Sequence, residues 1–250
     1  MSSRPVMSYA ELAPPPELRP WIHSFWTFRV EADAGEIEHH IPLTGGAMLS
    51  VRAHEEPLFI GPRVAPLTTP VRGGEEYWGV HFVPAGARPL LGLGVGSLRE
   101  EIVPLRVIGP GIGVATTLED GLRTLAEGVL RMTERAAQPD SVVAAAVAAI
   151  VAARGVVRIV ELAQQSNLSG RHFRRRFFAE SGLTPKELAR LRRLRSAAAA
   201  SIDGSAWADL ASDAGFADQP HLVREFQTLI GTGPELFRRH ATRIRHQLLD

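Results

Sequence analysis

Residues 168–185 read LSGRHFRRRFFAESGLTP, and this segment decides how the C-terminal part of the chain folds. Leu168, Phe173 and Phe177 recur at helical spacing and form one apolar stripe. Arginines crowd the remaining surface of the same helix: Arg171, Arg174, Arg175 and Arg176. A basic amphipathic helix is typical of a solvated surface and equally of a surface that binds a polyanion. The segment by itself leaves both interpretations open.

The predicted helix has clear ends and a shorter helix before it. Ser169 is a favourable N-cap residue and Gly182 a favourable C-terminal stop. The apolar spacing over residues 159–163 predicts a short helix, which ends in the polar residues 164–167. A helix, a tight turn and a second helix make up a helix-turn-helix unit.

The same unit occurs a second time near the C-terminus. Residues 161–163 (ELA) are echoed 48 positions later by residues 209–211 (DLA), as is Leu168 by Phe216. One residue is then inserted before Leu222, where a loop absorbs it, and the offset becomes 49. The later matches are Phe173 with Leu222, Arg175 with Arg224, Phe177 with Phe226, Gly182 with Gly231 and Pro185 with Pro234. Duplication favours a two-part DNA reader over a solvated basic helix.

Two more predicted helices frame the units. Residues 141–154 form the first, capped by Asp140, and residues 187–202 form a long helix that joins the two units. Thr184, Pro185 and Glu187 supply a cap, a first helical residue and a capping box for the long helix. Its predicted inward residues are Leu188, Leu191, Leu194 and Ala198, and its predicted outward residues are Arg190, Arg192, Arg193 and Arg195.

The most specific signature is GFADQPHLVREFQTLIGTGPELFRR, residues 215–239. Over residues 157–239 the sequence resembles the double helix-turn-helix domain of the AraC/XylS family of transcriptional regulators. Pro220 stands where that family often has a polar base-reading residue, and Asn167 replaces the common turn glycine. The resemblance implies an N-terminal domain, often a cupin-like barrel, that binds an effector or mediates dimerisation.

Helix position predicts the role of each side chain on DNA. Side chains at the exposed N-terminal part of a recognition helix reach base edges, where arginine suits guanine and glutamine suits adenine. The predicted base contacts are Arg171, Arg174, Arg175, Gln219, His221 and Arg224. The predicted phosphate contacts are Arg176, Arg192, Arg193, Arg238 and Arg239. Two parallel readers would meet successive major grooves ~34 Å apart, so that one chain reads an asymmetric site.

The net charge of the chain changes from negative to positive near the start of the helix-turn-helix segment. Residues 1–153 carry 12 basic and 17 acidic residues, a net charge of −5, whereas residues 154–250 carry 16 basic and 10 acidic residues, a net charge of +6. We therefore expect a polyanion partner at the C-terminal part.

The chain contains no cysteine, which excludes disulfides and thiolate metal sites. Its longest apolar stretch, residues 142–153, falls short of the ~20 residues of a membrane span, and the proline-rich N-terminus does not resemble a secretory signal. We expect a cytoplasmic protein.

Short alternating runs in the N-terminal part predict strands separated by Gly, Pro and Asp. The runs are residues 21–30, 36–41, 47–51, 58–61, 68–71 and 77–83. Residues 98–105 are extended or mixed, and residues 116–134 predict an amphipathic helix. The expected fold class is α+β: a small antiparallel β-barrel or sandwich, cupin-like, followed by an all-α domain of two helix-turn-helix units. We place the domains at residues 1–137 and 138–250, with the units at about 157–182 and 206–231.

A pocket with aromatic walls and a few polar groups suits a small molecule. The candidate effector-binding residues are Trp26, Phe28, His40, Trp78 and His81. Aromatic residues on strands are also typical of a plain hydrophobic core. The histidines His39, His40, His54 and His81 raise the alternative of a metal-binding cupin, but no suitable ligand spacing supports one, and we expect no metal site.

These observations predict a sequence-specific transcriptional regulator that responds to a small-molecule effector bound by its N-terminal domain. Its expected partners are double-stranded promoter or operator DNA and that effector, with no membrane; RNA polymerase and a second copy of the chain are further candidates. Since no Ser-His-Asp set, phosphate loop or diagnostic carboxylate pair is present, we expect neither enzyme activity nor a cofactor. The alternative is a cupin-like metal-binding or catalytic domain fused to a DNA-binding module.

Overall fold

The computed structural model describes residues 7–41, 43–202 and 204–241, apart from the side chains of Leu236, Arg239, His240 and Ala241. The strands are β1 (Met7–Leu12), β2 (Ile22–Val30), β3 (Glu36–Ile41), β4 (Met48–Arg52), β5 (Leu58–Ile60), β6 (Leu67–Arg72), β7 (Glu76–Phe82) and β8 (Ile102–Pro104). The helices are α1 (Ala87–Leu91), α2 (Leu105–Ile108), α3 (Leu118–Thr133), α4 (Ser141–Ala152), α5 (Ile159–Gln165), α6 (Gly170–Ser181), α7 (Pro185–Ser201), α8 (Trp207–Asp213), α9 (Gln219–Ile230) and α10 (Pro234–Ala241). This is an α+β fold, with a sheet domain (residues 7–133) and a helical domain (residues 141–241). A boundary at residues 137 and 138 stays a prediction.

The sheet domain contains a six-stranded antiparallel sheet in the order β1-β2-β7-β4-β5-β8 and a separate pair, β3-β6. Strands β2 to β7 confirm the six predicted strands, each within about one residue at either end. Strands β1 and β8 were not predicted as such. Both lie at edges of the large sheet and bury their side chains only in part, so their apolar signal is weak.

Both faces of the large sheet are covered. One face carries Trp26 and Phe28, which pack with Val71 of the β3-β6 pair. The other face carries Trp78, which lies under α3. A Cβ atom added at Gly121 of α3 would lie 2.1 Å from the Trp78 ring, so this close crossing of helix and sheet requires glycine.

The helical domain has two cores that share α7. Phe173 and Phe177 of α6 pack with α4 and the start of α7, and Phe226 of α9 packs with α8 and the rest of α7. The core of the second unit contains five buried apolar residues: Trp207, Leu210, Phe216, Leu222 and Phe226. Helix α4 is apolar but has only 12 residues, and in the part of the chain that the structure describes no helix is long and apolar enough to cross a membrane.

Candidate DNA-reading surface and interdomain cavity

Two helix-turn-helix units pack on α7, the first made of α5 and α6 and the second of α8 and α9. Helix α6 begins after Ser169, whose Oγ accepts the N–H of His172 at 3.3 Å. Helix α9 begins after Asp218, whose Oδ1 accepts the N–H of His221 at 2.7 Å. The starts of α5 and α8 are 48 residues apart and those of α6 and α9 are 49 apart, which confirms the one-residue insertion in the second turn.

The two turns share an unusual backbone conformation. Asn167 has a φ of 54° in the first turn, and Gly215 has a φ of 69° at the equivalent position of the second. Side chains disfavour this left-handed region, but asparagine tolerates it better than most residues. Asn167 therefore replaces the usual turn glycine without changing the turn.

The three predicted base contacts of α6 lie on its solvent face. Arg171, Arg174 and Arg175 are exposed, whereas Phe173 and Phe177 of the same helix are fully buried. The three arginines occupy the N-terminal half of α6, the part of a recognition helix that enters a major groove.

Of the three predicted base contacts on α9, two are exposed and one has intramolecular partners. Gln219 and Arg224 are exposed. Pro220 occupies the first turn, where no helical hydrogen bond is lost. His221 is engaged: its Nδ1 accepts a backbone N–H from the preceding turn at 3.4 Å, and its Nε2 lies 3.8 Å from Glu225. Because Nδ1 accepts, the neutral ring carries its proton on Nε2.

One loop of the sheet domain, residues 61–66, lies against the C-terminal ends of both reading helices. A Cβ atom at Gly182, which ends α6, would lie 2.7 Å from Pro62. A Cβ atom at Gly231, which ends α9, would lie 3.4 Å from Pro66. The sheet domain thus meets the helices at the ends opposite to the predicted base contacts.

Glu100 holds this loop. Its Oε1 accepts the N–H of Val64 at 2.7 Å, and its Oε2 forms a 3.1 Å ion pair with Arg63. Arg63 also donates to the backbone oxygen of Glu100 at 2.6 Å. Glu100 itself has a φ of 62°, a strained conformation for a residue with a side chain, so several contacts must hold it. No local sequence pattern signals this role.

Two arginines of the sheet domain form ion pairs with helices of the helical domain. Arg88 pairs with Glu180 of α6, and both Nη atoms of Arg99 donate to Glu187 of α7, at 2.8 and 3.0 Å. Burial acts to raise the pKa of Glu187, but hydrogen bonds from Arg99 and from Thr184 outweigh it and hold that pKa below its usual value. Sequence reasoning missed both pairs because their partners lie 92 and 88 residues apart.

The prediction that four arginines of α7 face outward is wrong, because all four are partly buried. Three have partners in neighbouring elements: Glu225 for Arg190, the carbonyl of Gly215 for Arg193 and the carbonyl of Leu43 for Arg195. The fourth, Arg192, lines the cavity described below. Helix α7 is thus a buried connector that uses its arginines to hold other elements.

Two further predicted phosphate contacts also have intramolecular partners. The Nε of Arg176 donates to Asp140, the cap of α4, at 2.7 Å. Arg238 donates to a backbone carbonyl at 2.6 Å and lies 4.3 Å above the ring of Trp207. The side chain of Arg239 lies outside the described residues. The phosphate roles therefore stay predictions.

The predicted effector residues fall in three places. Trp26, Phe28 and His81 line a narrow cavity of about 60 Å³ between the two sheets. Trp78 lies on the opposite face of the large sheet, because alternate residues of a strand point to opposite sides. His40 is on the exposed β3-β6 pair, with its Nδ1 3.1 Å from Oγ1 of Thr68. Three of the five residues share one small space, and Trp78 and His40 lie apart from it.

A larger cavity of about 490 Å³ lies between the sheet domain and the helical domain. Its wall is formed by α4, by residues 82–85 and by a group of polar side chains: Glu11, His23, Thr44, His81, Arg192 and Arg195. His81 is a wall of both cavities. Burial, with contributions from the charges of Arg195 and His23, lowers the pKa of His81 to about 3, so this ring is neutral at physiological pH. Sequence reasoning found His81 but not the α7 side of the cavity.

The alternative of a metal-binding cupin was raised by four histidines of the sheet domain. Over residues 7–41, 43–202 and 204–241 no group of three or more histidine, cysteine, aspartate or glutamate side chains is arranged to hold a metal ion. His39 stacks on Phe28, His54 lies in the turn after β4, and His81 contacts Tyr9.

The chain thus combines an antiparallel sheet domain with two helix-turn-helix units on a shared helix. Residues 162–240 match a family model described as a helix-turn-helix domain, and residues 10–104 match one described as a domain of unknown function, DUF6597. The C-terminal domain is a helix-turn-helix domain of the AraC type, which confirms the resemblance seen in the sequence.

A comparison with curated proteins found no match. Among solved structures, the chain is similar to ToxT from Vibrio cholerae, with 10% identity over 93% of this chain and 97% of that chain and a TM-score of 0.42. ToxT bound to (E)-4-(8-methylnaphthalen-1-yl)but-3-enoic acid gives 9% identity over 93% and 97% and a TM-score of 0.44. The C-terminal domain of AraT, a response regulator from Geobacillus stearothermophilus, gives 20% identity over 40% of this chain and 85% of that chain and a TM-score of 0.37.

Proposed function

We propose that this protein is a sequence-specific transcriptional regulator in which a single chain reads two successive major grooves with α6 and α9. One observation carries the proposal. Both helices expose polar side chains at their N-terminal parts, and both end at a glycine that lies against the same loop, residues 61–66. An arrangement of this kind presents two readers from one rigid base, as an operator with fixed spacing requires.

We assign the main base contacts to the predicted residues that are exposed, namely Arg171, Arg174 and Arg175 of α6 and Gln219 and Arg224 of α9. His221 contributes through its Nε2–H if Glu225 releases it. Phosphate contacts fall to Arg176, Arg193 and Arg238, through N–H groups that are not used in their intramolecular hydrogen bonds, and to Arg239, whose side chain lies outside the described residues. Arg192 is not among them because it faces the interdomain cavity.

We further propose that a small-molecule effector acts through the sheet domain and occupies the interdomain cavity. Its volume of about 490 Å³ lies within the range of small-molecule sites, whereas the space of about 60 Å³ between the sheets does not. Because its walls come from both domains, an occupant changes the contacts between them. RNA polymerase and a second copy of the chain are further partners for such a regulator at a promoter.

The test is selection of bound DNA from a random library with the full chain. We expect enrichment of an asymmetric motif with two blocks one helical turn apart. Enrichment of a single block, or of no motif, contradicts the proposal. Measuring binding of the selected site at increasing salt then separates phosphate contacts from base contacts, since only the former set the salt slope.

A further inference from the structure

Helices α6 and α9 occupy equivalent places in the two units but present different side chains. Each begins one residue after its cap, Ser169 or Asp218, so each residue of α6 corresponds to the residue 49 positions later in α9. Helix α6 contains four arginines and one glutamate, whereas α9 contains one of each. The second reader therefore has to recognise its block of DNA mainly through uncharged groups.

Two of the arginine positions of α6 are apolar in α9. Pro220 corresponds to Arg171, and Val223 corresponds to Arg174. Both arginines and Pro220 are exposed, and Val223 is half-buried. Because Pro220 and Val223 are three residues apart, they are neighbours on one face of α9. They form an apolar patch at the positions where α6 carries predicted base contacts.

Polar side chains border this patch on both sides. Gln219 comes directly before Pro220, Arg224 comes directly after Val223, and both polar residues are exposed. The four residues recur at the spacing of one helical turn and share a face, whereas Leu222 of the same turn is fully buried. Among the described residues, the half-buried apolar side chains that pack on the core of the second unit do not include Val223, so the patch is not an extension of that core.

A third difference, at Glu225, does not restore charge to this face. Glu225 corresponds to Arg176 of α6, and its side chain is only 13% exposed. Its carboxylate pairs with Arg190 of α7 and lies 3.8 Å from Nε2 of His221. A glutamate reads cytosine by accepting the N4 amino group, but this carboxylate is engaged within the protein. The patch is therefore the feature of α9 that has no counterpart in α6 and is open to DNA.

The major groove offers one apolar group on its base edges, which is the C5-methyl of thymine. The side chains of proline and valine have no hydrogen-bonding group, so they distinguish bases through contact with that methyl. An arginine at the same positions reads N7 and O6 of guanine.

We propose that Pro220 and Val223 are specificity-determining residues that pack on thymine methyl groups in the block of DNA read by α9. Gln219 and Arg224 read an adenine and a guanine beside these thymines. The operator then has a guanine-rich block under α6 and a thymine-containing block under α9. This inference rests on the proposed function, because it concerns the operator that the two helices read.

Replacement of thymine by deoxyuridine in the selected operator tests the contact. Deoxyuridine keeps every hydrogen-bonding group of thymine and lacks only the methyl. The α9 block is the one whose base preference is lost in Arg224→Ala. We expect deoxyuridine in this block to lower the affinity of the full chain about fourfold for each contacted methyl, and deoxyuridine elsewhere to have no effect. An α9 block without thymine, or an affinity unchanged by deoxyuridine in that block, overturns the proposal.

Two substitutions assign each methyl to a side chain. Val223→Ala and Pro220→Ala should each reduce the loss caused by deoxyuridine to about twofold or less at one position and leave it unchanged at the other. Neither should alter the salt slope, because no charge is removed. Val107→Ala, exposed in α2 of the sheet domain, is the matched control and should bind both DNAs like the wild type. Thermal unfolding shows that each variant is folded, and a full effect of deoxyuridine in both variants overturns the assignment.

The failure of this inference is distinguishable from failure of the proposed function. A chain that enriches a two-block operator but binds its thymine and deoxyuridine forms equally reads two grooves without methyl contacts. A chain that enriches no two-block motif contradicts the proposed function, and the methyl contacts fail with it.

Discussion

Glu187 accepts both Nη groups of Arg99, at 2.8 and 3.0 Å, and with the same carboxylate accepts the N–H of Thr184 at 2.8 Å. The first contact comes from the sheet domain, and the second caps the helix on which both reading units pack. One side chain therefore begins α7 and fixes it to the sheet domain. Any movement of the sheet domain that breaks the Arg99 contact also disturbs the base of the DNA-reading surface.

We expect Arg99→Met to lower the free energy of unfolding by about 1–3 kcal/mol, because a two-bond ion pair that is three-quarters buried is lost and a buried carboxylate is left. Denaturant unfolding measures this change. Arg123→Met removes an exposed ion pair within α3, and its effect should stay within about 0.5 kcal/mol. Equal effects of the two substitutions would show that the Arg99 contact does not hold the domains together.

The loop at residues 61–66 should set the spacing of the two readers. Glu100→Ala removes the hydrogen bond to Val64 and the ion pair with Arg63, and we expect it to lower the free energy of unfolding by about 1–3 kcal/mol. Affinity for a two-block operator should fall more than affinity for either block alone, with base preference unchanged. Fluorescence anisotropy on the two kinds of DNA measures this, and an equal loss on both contradicts a spacing role.

Backbone strain at Glu100 offers a matched variant. Its φ of 62° is favourable for glycine and unfavourable for alanine. Glu100→Gly loses the same carboxylate as Glu100→Ala but relieves about 1 kcal/mol of strain, so it should be the more stable of the two. If the alanine variant is the more stable, the left-handed conformation at this position is not the one described.

Acid pH should weaken the sheet domain through two histidines, the buried His81 and the partly buried His39. Burial lowers the pKa of His81 to about 3, and burial with the charge of His40 lowers that of His39 to about 4. In the unfolded chain both rings protonate near pH 6.5. Below that pH the unfolded state binds protons that the folded state does not bind. The contribution of the neutral rings to the free energy of unfolding is therefore complete above pH 6.5 and is lost as the pH falls toward 4.

The expected loss is about 1 kcal/mol per pH unit for each of these histidines between about pH 6 and pH 4. Denaturant unfolding at pH 7, 6 and 5 measures it. His81→Gln should make the dependence on pH less steep, because glutamine does not titrate. An unchanged slope in this variant would show that His81 is not held neutral.

The turn between α5 and α6 contains Asn167 in the left-handed conformation, and substitutions there test the first helix-turn-helix unit. Asn167→Gly should leave the free energy of unfolding within about 1 kcal/mol of the wild type, since glycine adopts a φ of 54° freely. Asn167→Val should cost at least about 1–2 kcal/mol, because a β-branched side chain strains that conformation. Thermal unfolding distinguishes the two, and equal values would contradict the assigned turn.

Sequence patterns predicted those features whose causes are local. The caps at Ser169, Asp140 and Thr184 are correct because a cap depends on residues within one helical turn. The six inner strands are correct because alternation marks them, whereas the edge strands β1 and β8 bury too little to be seen.

Features that depend on distant partners could not be predicted. The arginines of α7 look like a solvent face in sequence, and only the packing of the sheet domain and of the second unit turns them inward. Trp26 and Trp78 both lie on central strands, but the register of β2 with β7 sends them to opposite faces, so a pocket lined by both was not available. The interdomain cavity needs both domains in place before it exists.

The central claim is that α6 and α9 read separate blocks of one operator, and the DNA motifs selected by Arg174→Ala and Arg224→Ala test it most directly. Each substitution should lose base preference in a different block, one helical turn apart, and lower affinity for the wild-type site by about 1–3 kcal/mol. Loss of the same block by both variants, or an unchanged motif from both, would contradict the account.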